Sequence, residues 1–192
     1  MAYSNGGATY VTSSLTGGQH AMRAAYNGDT HFLSSPSPVW SQIVNHAMSS
    51  VTLSSNANPA AFGQQVLIRV TVTGSGGTPG GTVSLTEGSI TLGTARLHEG
   101  VASLPLLQLS VGSHKLVAHY LGNNIFGEST WLPYSQSVTR APTSTTLLSN
   151  LNPSNAGQQI IFTGPVETTN ETLRKQITGP IHFVSVRFVL CW

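Results

Sequence analysis

Histidine is the group in this chain best able to bind a metal or carry a proton. There are seven, against six carboxylates and one cysteine. Their spacing limits what they can do. His114 and His119 lie an odd number of residues apart in an alternating apolar and polar stretch, so they project from opposite faces of a strand. No C-x-x-C, no H-x-x-x-H on a helix and no acidic cluster accompanies them, and no metal site is expected. His20 and His114 read as structural residues, and His31, His46 and His98 as residues of surface loops.

Other chemistry is equally hard to assemble. Asp29 and Asn123 occupy one equivalent turn, but one carboxylate cannot supply the roughly six to eight oxygens that Ca²⁺ takes. They read as turn-formers bonding their own backbone. No serine sits in G-x-S-x-G, and the run GSGGTPGG lacks the lysine of a phosphate loop. No catalytic residue and no cofactor are expected, so the chain does not read as an enzyme. Trp40, Trp131 and Tyr134 are the aromatics that could offer a platform. Trp131 and Tyr134 flank Pro133 in one expected loop, and a carbohydrate-binding module using these two is the alternative reading.

Composition narrows the class further. Charged residues make up 7% of the chain, against about 25% in ordinary soluble domains, with Ser, Thr, Gly and Asn in their place. The few Lys and Arg are scattered, and phosphate affinity needs them clustered, so no nucleic-acid partner is expected. A net charge of +2 steers nothing. Cys191 stands alone, so no intrachain disulfide is possible and any fold depends on its apolar core. FVSVRFVLCW is too short for a membrane span and contains Arg187. MAYSNGGATY has neither a basic start nor an apolar run, so no export signal is expected here, and the chain reads as an internal piece of a longer one.

The elements behind these residues repeat. LSVGSHKLVAHYLGNNIF, Leu109 to Phe126, recurs as LTGGQHAMRAAYNGDTHF, Leu15 to Phe32. His20 and His114 are 94 apart, as are Tyr26 and Tyr120, Gln42 and Gln136, Pro59 and Pro153, and Gln64 and Gln158. The register holds without a gap from Gly6/Gly100 to Gln65/Gln159. The expected division is the C-terminal half of one unit (1–47), a complete unit (48–141) and the N-terminal part of a further one (142–192), irregular after about residue 163. In the last part Thr146, Leu147, Asn152, Pro153, Gly157 and Gln158 carry over unchanged, whereas GPVETTNETLRK replaces VTVTGSGGTPGG.

Within the complete unit, alternation predicts strands over 50–54, 65–73, 81–86, 90–97, 101–107, 114–120 and 135–139. Val51, Leu53, Val66, Ile68, Val70, Val72, Val83, Leu85, His114, Leu116, Ala118 and Tyr120 point inward. Turns are expected at Asn56–Gly63, Glu87–Ser89 and Glu99–Gly100, and Thr178–Phe183 is a candidate displaced strand. Strands of this length, with Gly, Pro and Asn between them and no helical period, predict an all-β sandwich.

TLSSNANPAAFGQQVLIRVTV, then TPGGTVSL, then GVASL, then LSVGSHKLVAHYLGNNIF together resemble the bacterial immunoglobulin-like repeat of group 3, over about Gly6 to Thr163. The resemblance implies a seven-stranded immunoglobulin-like sandwich, in tandem, in large surface or secreted proteins, acting as spacer, stalk or adhesion module. It places His114, two residues after Gly112, and His20, two after Gly18, where the wider family has a corner tyrosine. Leu116 and Met22 then stand where an antibody domain has its second cysteine. The expected location is extracellular or cell-surface. The expected partners are neighbouring repeats and a surface glycan or protein, with head-to-tail self-association through the half units.

Overall fold

The computed structural model describes residues 3–4, 7–107, 109–168, 173 and 176–184. Its centre is a two-sheet sandwich made of β7 (Ser49–Ser55), β8 (Ala60–Ala61), β9 (Val66–Gly74), β10 (Thr82–Glu87), β11 (Ile90–Arg96), β12 (Val101–Leu106), β13 (Gly112–Tyr120), β14 (Ser129–Thr130) and β15 (Tyr134–Thr139), preceded by β1 (Tyr3–Ser4) to β6 (Trp40–Val44). One sheet has the order β12-β9-β7 and the other β11-β10-β13-β15-β8, with β14 paired to β13. The fold is therefore an all-β immunoglobulin-like sandwich.

Alternation in the sequence becomes burial in the sandwich. On β9, Val66, Ile68, Val70 and Val72 are buried while Leu67, Arg69 and Thr73 are exposed. On β13, His114, Leu116, Ala118 and Tyr120 are buried, and Lys115 lies outside. Val51, Leu53, Val83 and Leu85 complete the same core. A strand turns successive side chains to opposite faces, so one apolar set per strand suffices to weld two sheets. Leu116, fully buried where an antibody domain has a cysteine, contributes packing in place of a cross-link.

The passage between sheets is a tight hairpin. His98 N–H donates to Val101 O and Val101 N–H to His98 O. Between them Glu99 (φ 50°) and Gly100 (φ 76°) both take positive φ, the requirement of a type I′ turn. Tyr120 ends β13 buried, with its hydroxyl donating to Gly80 O at 2.7 Å. Burial pushes its phenol above the ordinary tyrosine value. Because the folded-state value is raised, the unfolded phenol ionises first as pH rises, and stability falls above about pH 10. Tyr120→Phe should flatten that alkaline decline in a series of thermal melts from pH 8 to 11, and an unchanged slope would show that this phenol does not drive it.

Two differences from the expected elements have clear causes. The stretch Asn56–Gly63 is not only a turn: Ala60 and Ala61 run parallel to Val138 and Thr139 as β8. Alternation could not reveal a two-residue strand held largely by side-chain bonds to its neighbour. Thr178–Phe183 forms no strand.

The flanking parts repeat the geometry of the centre at an offset of 94. β3 (Gly18–Met22) pairs with β6, His20 opposite Gln42 and Met22 opposite Trp40, as His114 lies opposite Gln136 and Leu116 opposite Tyr134. β4 (Ala25–Tyr26) pairs with β5 (Ser35–Pro36) as His119 and Tyr120 pair with Thr130 and Ser129. β16 (Thr143–Thr145) pairs with β19 (Val166–Thr168), and β17 (Leu148–Ser149) with β18 (Phe162–Thr163). Each of these pairs is a β7–β9 pair with both members shifted by 94. The ladder continues to Thr168, beyond the point where the sequences diverge.

Candidate functional site

His114 is held at both ring nitrogens. Nε2 lies 2.9 Å from Ser110 O, and Nδ1 lies 2.9 Å from the Glu87 carboxylate. Both neighbours are acceptors, so the ring satisfies both when both nitrogens carry protons. His20 makes the same backward bond, Nε2 to Thr16 O at 2.7 Å. Each ring thus pins the start of its strand to the turn four residues earlier, as a corner tyrosine hydroxyl does. His119 lies on the opposite face, between Thr86 Oγ1 and Thr130 Oγ1. His31, His46 and His98 are exposed. Among the described residues no three of His, Cys, Asp and Glu come together.

The two equivalent turns are built alike. Asn123 Oδ1 accepts from the N–H of Ile125 and Phe126, and Asp29 Oδ1 from the N–H of His31 and Phe32. The Tyr26 hydroxyl also donates to Asp29, and that bond, with the backbone ones, holds the carboxyl below the ordinary aspartate value. Trp131 and Tyr134 are half-buried and pack against the core. The Tyr134 hydroxyl accepts from Asn58 Nδ2 at 3.2 Å. Leu132, between them, is 77% exposed. The inner faces of these two rings are therefore occupied. Cys191 lies outside the described residues.

A dense polar seam joins the β8 segment to β15, the last strand of the sandwich. Asn58 Nδ2 donates to Ser135 O at 2.8 Å, and Ser137 N–H donates to Asn58 Oδ1 at 2.9 Å. Gln136, fully buried, donates through Nε2 to Ala57 O at 2.7 Å and to Ser137 O at 3.0 Å. Phe62 N–H donates to Thr139 O at 2.8 Å. This seam ties 57–62 to 135–139, segments far apart in sequence. In the sequence Asn58 reads as a turn-former within Asn56–Gly63, and Gln136 as a marker of the repeat. The available signal was a glutamine at an inward position of an alternating strand, between Tyr134 and Val138.

The chain meets the sandwich at two opposite poles. At one, Ala47 N–H donates to Ile125 O, Gly127 N–H to Ala47 O, and Gly17 N–H to Asn124 O. The His46 ring covers Gly17, where an added Cβ would lie 2.4 Å from it. At the other pole Phe62, Val111, Arg140 and Thr143 border one groove with Leu173. The poles are the two ends of β13, since Gly112 pairs beside Val138 and Tyr120 beside Ser129.

No curated protein matches the chain. Residues 53–139, which hold the seam and most of both sheets, match the model of the bacterial Ig-like domain (group 3).

Proposed function

We propose that the chain is a non-catalytic spacer segment of a bacterial surface or secreted protein, made of one complete Ig-like unit and parts of two others in tandem. The observation that carries this reading is mechanical. The chain enters the sandwich at one pole and leaves at the other, and between those points β8 and the last strand, β15, lie parallel and bonded. Tension on the two ends loads the bonds of the seam together, in shear, instead of unzipping them in turn. The hydrogen bonds of Gly17, Ala47 and Gly127 restrain bending at one joint. The recurrence of strand registers and of the histidine corner at an offset of 94 supports the division into units. Domains of this family are structural modules of extracellular proteins, and no helix among the described residues is long and apolar enough to cross a membrane.

Pulling a single molecule by its ends tests this. One cooperative event should release roughly 300 Å of chain, from about 90 residues at about 3.4 Å each. Asn58→Ala should lower the force of that event. Asn56→Ala should lower it less, because Asn56 Oδ1 accepts from Leu67 N–H inside the other sheet, away from the seam. Equal forces in the two variants would remove the seam from the mechanism.

A further inference from the structure

An uncovered apolar face lies in the part before residue 47. Ala8, Tyr10, Met22, Ala24 and Trp40 border one groove, with Trp40 71% and Tyr10 62% exposed. Their counterparts 94 residues later, Ala102, Leu104, Leu116 and Ala118, are buried, and Tyr134 is half-buried. The same molecule shows what such a face requires: in the complete unit it shares a core with Val51 and Leu53 of β7 and Val66 and Ile68 of β9.

The counterparts of those covering strands are also in this chain, at its other end. The hairpin of β16 to β19 has the β7–β9 register, and its Leu147 and Phe162 are 63% and 53% exposed where Leu53 and Ile68 are buried. Face and hairpin cannot meet within one molecule. They leave the complete unit from opposite ends of β13, nine residues and about 30 Å apart, and Ala47 is tied down at its pole.

We propose that the hairpin 143–168 of a second copy of this chain seats on the uncovered face of residues 7–44, head to tail. This rests on the division into repeated units made above. The polar groups match as well as the apolar ones. Gln42 Nε2 donates to Ile43 O, as Gln136 does to Ser137 O, but Gln136 also donates to a second carbonyl, Ala57 O, and Gln42 makes no equivalent bond among the described residues. The hairpin carries the equivalent carbonyl at Leu151, where it accepts from Ser149 Oγ as Ala57 O accepts from Ser55 Oγ. Exposed Asn152 takes the place of Asn58, opposite Ser41 and Ile43 in place of Ser135 and Ser137. Pro165 does not block the pairing edge. Its counterpart Thr71 neighbours Val72, whose N–H donates to Gly100 O. Amides alternate along a strand, so the one that proline lacks would point toward β16, away from the added strand. Adding a strand pair to an open edge is a recurrent mode of association. The contact is heterologous, so it extends into chains of copies and does not stop at a dimer.

Light scattering after size exclusion on the full chain tests this. The mass should exceed the 20.2 kDa of one chain and rise with concentration. Met22→Asp disables the face and Phe162→Asp the hairpin, so each variant alone should run at the mass of one chain. A mixture of the two should form a pair of twice that mass and grow no further, because one intact face meets one intact hairpin. A wild-type chain of single mass at every concentration, variants that associate like wild type, or a mixture that fails to pair would each overturn the proposal. Both substitutions lie outside the complete unit, whose unfolding event under tension should not change. Loss of that event would count against the spacer reading instead.

Discussion

Leu116→Ala should destabilise the sandwich by roughly 2–5 kcal/mol, the range for a buried large-to-small change. Leu116 is fully buried in the middle of β13, paired with Glu87 on one side and Tyr134 on the other. With ladders on both sides the backbone cannot close on the cavity, which places the loss in the upper part of that range. Val117, one residue on, is half-buried on the opposite face of the same strand beside Thr86. Val117→Ala should cost under about 1 kcal/mol, since most of what it loses was already next to solvent. Urea denaturation of the full chain, followed by circular dichroism, measures both. Equal losses would mean that the two faces of β13 are not inside and outside.

Gly100→Ala should cost about 2–4 kcal/mol, although it adds a single methyl group. Two effects combine. At φ 76° a side chain is strained, by about 1 kcal/mol or more. The added Cβ would also lie 2.8 Å from Val72 O, a backbone atom of a central strand that cannot move aside. Relieving that clash pulls Gly100 O away from the Val72 N–H that it accepts at 2.7 Å. Gly76→Ala isolates the first effect, because Gly76 has φ 88° and nothing within 4 Å of its added Cβ. It should cost only about 1 kcal/mol. If the two alanines cost the same in parallel denaturation experiments, close approach of β9 to the turn is not what requires glycine at position 100.

Most of the fold could be read from residues one or two apart. Val66 to Val72 and His114 to Tyr120 each declare a strand and its inner face, because strand geometry alternates side chains with a period of two whatever the partner strand is. Glu99–Gly100 and Asn123 declare turns for an equally local reason, the backbone torsions they tolerate or the bonds they make to their own amides. The offset of 94 between His20 and His114 is likewise a property of the string of letters, and the corner role of both rings is what the family resemblance implied from the glycine two residues before each.

What the letters could not supply were contacts between segments distant in sequence. Gln136 lies against Ala57, and Asn58 against Ser135 and Ser137, because β8 and the last strand of the sandwich become neighbours only after both sheets close. Glu87 reaches His114 for the same reason. Trp131 and Tyr134 are half-buried against the core, although their loop reads as exposed, because β14 and β15 fold back onto β13. The alternation marks Met22 and Leu116 equally as inward, yet one lines an open groove and the other is sealed. A residue's own sequence sets the face it occupies, but only the tertiary arrangement decides whether another strand lies across that face.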